Sequence, residues 1–370
     1  MVELYGRIFT RRELEARLGD MAQVGGVRLA ELADGRERGV RVADVRTGNG
    51  FAFTVHIDRG LDIGHAEYCG EALAWRSPAA VVHPAYYEPE GIGWVKGFPG
   101  GLMTTCGLSF AGAPCVDEGH PLGLHGPVSY LPAQNVWAGG TWLDDGTYEL
   151  AVQGRVREAH LFGPRLELER RITARLGELR LFIHDRVTNL GGESVPHMIM
   201  YHCNFGFPLL DEYAELISPS REVRPRDDVA RPGLPHYNRF QPPQPGYAEQ
   251  VFYHDMVADA AGYVTVALAN HRLGVGRGLG IYIRYRQREL PRFVQWKMMG
   301  YGGYVLGLEP ANCWPSDGRA GERARGTLVT LQPGESREYH LEIGVLPDNG
   351  AIERLEQDVN RQHPQAAYGT

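Results

Sequence analysis

Apolar and polar residues alternate with a period of two along most of the chain, the pattern of strands with one buried face. It is clearest between residues 147 and 189, where three strands are predicted. In the last of these, Leu179, Leu181, Ile183 and Val187 share one face, and Arg180, Phe182, His184 and Arg186 the other. Val40 and Val42 alternate with charged residues, 51–57 is β-rich, and 58–64 reads as a tight turn between strands. Further strands are predicted over 195–207, 262–269, 278–286, 292–298, 303–309, 327–332 and 336–346. Helical periodicity is confined to the two ends. Thr10 and Glu13 form a capping box that opens a helix over 10–18, with Leu14 and Leu18 on one face and Gly19 as a stop, so 1–24 reads as an N-terminal helical extension. Ile352, Leu355 and Val359 stripe a closing helix over 350–361.

Two stretches break the alternation. Residues 86–107 are rich in glycine and aromatics and read as a packed loop region. Residues 219–246 contain seven prolines and read as a long surface loop of the kind that often forms a lid. With about fifteen short strands, no internal repeat and no βαβ alternation, the fold class predicted is all-β: a large antiparallel β-sandwich with short peripheral helices, one domain over residues 1–370.

Composition narrows the partners. A hydrophobic share of 43% and a charged share of 22% are those of a soluble globular protein, and the net charge of −7 argues against nucleic acid. The 48 glycines and 24 prolines fit the many turns of a β-fold. The five cysteines are odd in number and include no C-x-x-C pair, which argues against a disulfide framework or a thiolate metal site. No signal-like or membrane-spanning run is visible, so a cytoplasmic protein with no membrane partner is expected. The oligomeric state stays open, a homodimer included.

The chemistry concentrates in three segments of one form: an apolar strand ending in a single ionisable residue beside Gly, Pro or Asn. They supply His125, His202 and Glu309. Brought together, a carboxylate and two imidazoles can move two protons, Glu309 taking one from a hydroxyl and a histidine giving one to an oxygen. Glycoside hydrolysis would call for paired carboxylates instead. Trp94, Trp296 and Trp314 are candidate stacking surfaces for a sugar, although most tryptophans are core residues. Cys203 and Cys313 read as small packing residues.

Six segments together resemble the galactose-mutarotase-like superfamily, the aldose 1-epimerases, and within it a bacterial branch known only as a domain of unknown function. They are Asp58-Arg-Gly-Leu-Asp-Ile63, Phe98-Pro-Gly-Gly-Leu102 with Cys106-Gly-Leu108, Leu124-His-Gly126, Tyr201-His-Cys-Asn-Phe205, Gln295-Trp-Lys-Met298 and Leu308-Glu-Pro-Ala-Asn312. The resemblance implies a mutarotase-like sandwich with an open carbohydrate cleft and no cofactor. It implies Glu309 as general base on the anomeric hydroxyl, His202 as the acid at the ring oxygen and His125 polarising the same region. It also implies an Asp that grips sugar hydroxyls, for which Asp255 is the candidate, and an Asn-Arg pair before the first His, which this chain lacks. Arg59, Arg76, Lys96 and Lys297 are the candidate substitutes, and Trp296, Asn312 and Trp314 are further candidate sugar contacts. Three functions follow from the residues: a sugar epimerase acting at the anomeric carbon, a non-catalytic carbohydrate-binding protein, or a metal-dependent isomerase or lyase using His125, His202 and Glu309 as ligands.

Overall fold

The alternation resolves into antiparallel sheets in a computed structural model that describes residues 1–273 and 276–362. The largest sheet has eight strands, in lateral order Gln134–Trp142, Tyr148–Ala159, Arg165–Arg175, Arg180–Asn189, Ser336–Leu346, Leu279–Arg286, Tyr263–Asn270 and Ala214–Ile217. A six-stranded sheet carries the candidate site. Its strands are β1 (Thr104–Leu108), β2 (Met198–Gly206), β3 (Ser220–Pro225), β4 (Gln250–Met256), β5 (Arg292–Gly300) and β6 (Gly303–Ala311), in lateral order β3-β4-β5-β6-β2-β1. A five-stranded sheet runs between Gly26 and Ala72. The all-β sandwich expected from the sequence is what the chain forms, and its core fills the space between the sheets.

Strand parity decides what faces the core. In β2, Ile199, Tyr201, Cys203 and Phe205 join the main core, as do Leu306 and Leu308 of β6, whereas Met198, Met200 and Ala311 pack in a second cluster on the other face. β2 is buried along its whole length, which explains its nearly continuous apolar sequence.

A buried charge network ties the three sheets together. Arg170 donates to both carboxylate oxygens of Asp185, at 2.9 and 2.6 Å, and to Asp62 Oδ1 at 3.1 Å. Thr105 of β1 donates to Asp62 through its backbone N–H and its hydroxyl, and the Tyr201 hydroxyl of β2 donates to Asp185 at 2.6 Å. The second Asp of the Asp58–Asp62 motif is thus a partner in this network, and Asp58 pairs with Arg41.

The structure departs from the sequence reading at several places. The first 24 residues are not simply helical: a hairpin of Val2–Leu4 with Arg7–Phe9 comes first. The capping box at Thr10 is present, but the helix is only Arg11–Glu15, because Leu14 is the one residue it buries. The proline-rich loop contains β3, an edge strand that ends on Pro225, where a missing N–H costs no ladder bond. The strand expected over 327–332 shrinks to Thr330–Leu331. The strand expected over 303–309 does not stop at Glu309: β6 runs on through Pro310 to Ala311. Of the single-domain reading, residues 274–275 and 363–370 lie outside the described residues.

Replacing Arg170 by Met strands two buried carboxylates. Arg170→Met is therefore expected to lower the unfolding free energy by about 3–5 kcal/mol, against about 1 kcal/mol for Tyr201→Phe. Equilibrium denaturation of both variants measures this, and an Arg170→Met protein as stable as wild type would rule out the clamp.

Candidate active site

The floor of the site follows from register. Met200 pairs with Ala311 and Cys203 with Leu308, which sets His202 opposite Glu309 on adjacent antiparallel strands. Their own rung carries no ladder bond, consistent with the missing N–H of Pro310 beside it. Residues directly opposite point to the same side, and His202 Nε2 lies 3.2 Å from Glu309 Oε1. The same parity brings Val294 and Trp296 of β5 and Val251 of β4 onto this floor. Gly307 makes room for the pair: a Cβ there would stand 2.7 Å from Glu309 Oε1 and 3.1 Å from His202 Cε1.

The opposite wall comes from loops. A 3-10 turn, Gly93–Gly97, presents Trp94, and Phe98 follows it. His125 sits in a left-handed turn, with φ at +58°. Its backbone is pinned by Gly107 N–H donating to its carbonyl and by its own N–H donating to the Gly112 carbonyl. Gly126 must be glycine, since a Cβ would lie 2.4 Å from the Gly107 and Phe110 carbonyl oxygens. The His125 ring packs 4.9 Å from Trp94 and 6.0 Å from His202, edge-on to both. Floor and wall enclose a cavity of about 510 Å³, within the range of about 300–1,000 Å³ common for small-molecule sites.

Burial controls the proton affinities. Desolvation pushes the Glu309 carboxyl up to about 8; the Glu249 charge adds to the rise and the Arg226 charge opposes it. Desolvation pushes His202 down to about 4, and desolvation together with the His202 charge takes His125 down to about 3. At neutral pH the close Glu309–His202 contact is therefore a carboxylic acid beside a neutral imidazole, with one proton between them, rather than an ion pair. The contact falls outside hydrogen-bond geometry, and Glu309 Oε1, His202 Nδ1, His125 Nδ1 and Trp94 Nε1 are all buried without a partner. Orphaned polar atoms gathered around one cavity make it the candidate ligand site, because each costs free energy until something pairs with it.

The structure brings His125, His202, Glu309, Trp94 and Trp296 together and sends the other candidates elsewhere. Lys297 follows Trp296 on β5 and so points to the opposite face, where it donates to the His236 and Arg239 carbonyls. Asn312 holds β2, accepting from Ile199 N–H and donating to the His197 carbonyl. Arg59 is buried against the Tyr130 ring and donates to the Val82 carbonyl. Asp255 is exposed on β4 beside Arg221, roughly 13 Å along the strand from Val251. Trp314 packs on Tyr253 beneath Arg292. Of the other substitutes for the missing Asn-Arg pair, Lys96 pairs with Glu88 and Arg76 does not line this cavity. Two charged lining residues are not singled out by the sequence: Arg226, in the proline-rich stretch, and Glu249, just ahead of β4. Among the described residues, the groups offering three donor atoms within 4.8 Å of one another are His184, Glu338, His340 and Glu215, His271, Glu356; the cavity trio is not one of them.

Comparison with known proteins gives the family and the fold. Residues 37–345 match the family model described as Domain of unknown function (DUF4432). A solved structure of a candidate aldose 1-epimerase from Klebsiella pneumoniae superposes with a TM-score of 0.87 at 27% identity, covering 96% of this chain and 91% of that one. A galactose mutarotase-like protein from Clostridium acetobutylicum gives 0.57 at 12% identity, covering 86% and 98%. Galactose 1-epimerase from Lactobacillus acidophilus gives 0.52 at 12% identity, again covering 86% and 98%. The last two show the fold alone. No curated protein sequence matches the chain. No helix among the described residues is long and apolar enough to cross a membrane.

The raised pKa of Glu309 has a thermodynamic consequence. Folding takes up a proton at this carboxyl, so its contribution to stability is whole below its ordinary value of 4.5 and is lost as pH rises through about 8. An amide has no such dependence. Glu309→Gln should melt above wild type at pH 8, with the gap closing toward pH 4.5. Calorimetric scans across that range test it, and a gap that does not vary with pH would show that burial does not set the carboxyl's proton affinity.

Proposed function

The chain belongs to the DUF4432 family, and we propose that this protein is an aldose 1-epimerase-like isomerase that interconverts sugar anomers, with Glu309 and His202 as its proton-transfer pair. The observation that supports the reading is the cross-strand contact at the cavity floor: an acid and an imidazole 3.2 Å apart, buried, with unpartnered atoms. The name carried by the Klebsiella structure points the same way.

Mutarotation removes a proton from the anomeric hydroxyl and delivers one to the ring oxygen. The ring C–O bond breaks, the aldehyde forms, the C1–C2 bond turns and the ring recloses on the other face. Protons in and out balance, so the catalyst needs one acid and one base whose combined proton count is unchanged at the end. The Glu309–His202 pair holds one proton between about pH 4 and about pH 8, which suits this requirement. As the sugar hydroxyl comes to donate to Glu309, the carboxyl proton passes to His202, which becomes the acid for the ring oxygen while Glu309 becomes the base. His125, neutral and with Nδ1 unpartnered, positions the same oxygen pair. The apolar walls exclude water and strengthen each interaction.

Two measurements test the proposal. Glu309→Gln is expected to lower enzyme-dependent anomer exchange, followed by NMR or polarimetry, by at least about 1,000-fold while sugar still binds. Wild-type exchange should follow a bell-shaped pH profile, falling below about 4 as the pair gains a second proton and above about 8 as it loses its only one. Sugar affinity in a wild-type protein that accelerates no exchange would instead identify a binding protein.

A further inference from the structure

We propose that Arg226 and Glu249 form the end of the cavity that grips the sugar's hydroxyls remote from the anomeric carbon, and that the sugar so held is a neutral aldose; the assignment rests on the reading of the cavity as a sugar site. It fills the place left by the missing Asn-Arg pair, from a different part of the chain.

The distribution of polar groups carries the inference. Beyond His125, His202 and Glu309, the charged or hydrogen-bonding side chains of the lining, apart from the two indoles, are Arg226, Glu249 and Ser316. On the floor, Val251 and Val294 are apolar, so polar recognition is concentrated away from them. Arg226 and Glu249 are built as a unit. Arg226 Nη1 donates to Glu249 Oε1 at 3.1 Å, Arg226 Nε donates to Asp227 at 2.7 Å, and the other oxygen of Glu249 accepts from Trp296 Nε1 at 2.8 Å. The guanidinium keeps further N–H groups, and the Glu249 carboxylate keeps lone pairs, so together they offer donors and acceptors to adjacent hydroxyls. Their side chains remain 29% and 47% exposed, open to a ligand. Glu249 also fixes the indole of Trp296, whose ring lies 5.5 Å from that of His202. A sugar with its anomeric carbon at the Glu309–His202 contact would meet Trp296 along its ring and the ion pair at its far end.

Charge selects against anionic sugars. The lining guanidinium of Arg226 is already paired, with Glu249 inside the cavity and with Asp227 outside its lining, so no uncompensated cation faces the sugar at this end. A phosphate or carboxylate at the remote end of a sugar would find no free countercharge and would meet the Glu249 carboxylate, whereas a hydroxyl can use both partners. The same two residues act on Glu309 with opposite sign, Glu249 raising and Arg226 lowering its proton affinity.

The test uses the full chain and reads affinity and exchange separately. Dissociation constants for a panel of neutral aldopyranoses, and for the matching hexuronates and hexose 6-phosphates, are measured by calorimetry; anomer exchange is followed by NMR. Arg226→Met and Glu249→Gln are expected to weaken binding of the preferred aldose about 10- to 100-fold, mainly through KM. The alkaline limb of the pH profile should move up in Arg226→Met and down in Glu249→Gln. Arg226→Lys keeps the charge but not the fork, so it should lose affinity while the limb stays in place. The anionic analogues should bind at least about tenfold more weakly than their parents. Wild-type affinity in both variants, limbs that move in the same direction, or tighter binding of an anionic analogue would each overturn the assignment. Normal affinity losses in a protein that shows no exchange would instead overturn the catalytic reading and leave this one standing.

Discussion

The guanidinium of Arg170 is the fixed point from which the site is built. It is fully buried, and a buried cation persists only if its charge and its N–H groups are met. Asp185 and Asp62 meet them from two different sheets, and Thr105 and Tyr201 complete the shell from the third. This arrangement locks strand parity. Tyr201 must face the core to reach Asp185, so His202, one residue on, must face the cavity. A register slip of one residue would bury His202 among leucines and expose Tyr201.

The second constraint is desolvation at the floor. The residues that make the cavity dry also raise the proton affinity of Glu309 and depress that of His202. A carboxylate and an imidazolium in water would hold their charges apart. Here they are driven to share one proton, a state poised between donor and acceptor roles. It costs the fold stability, because a buried acid and unpartnered nitrogens favour unfolding. Gly307 fits the same pattern: any side chain there would fill the space in which the carboxyl and imidazole meet.

Much of this was legible in the sequence. The strands of 147–189 were read correctly because alternation there is strict, and Glu309 stood out as an isolated acid in an apolar strand. His202 and His125 share that reading and do line the same cavity, although neither ends a strand: His202 lies within β2 and His125 in a left-handed turn. What failed did so for identifiable reasons. Trp296 and Lys297 are sequence neighbours on one strand and cannot both face the cavity; period-two parity already excludes one of them. Asp255 shares the outward face of Val251 but lies two pleats further along β4. Asn312 looked like a site residue because of its closeness to Glu309, yet its amide is spent on the β2 backbone. Asp185 interrupts the apolar face of Leu179, Leu181, Ile183 and Val187, and its meeting with Arg170 explains it.

Arg226 and Glu249 carried no signal because their position is not set by alternation. Arg226 follows the proline that ends an edge strand, and Glu249 lies between the proline-rich stretch and β4. Both reach the cavity through loop geometry that no local pattern encodes. The floor, by contrast, is register-bound: Glu309 and His202 cannot move without moving β2 and β6, and β2 cannot move without breaking the hydrogen bond from Tyr201 to Asp185. The floor of the cavity is therefore fixed by the sheet, and the rim is held by loops alone. On the proposed reading, the choice of sugar falls to the rim, whose side chains are placed by turns and prolines rather than by the sheet.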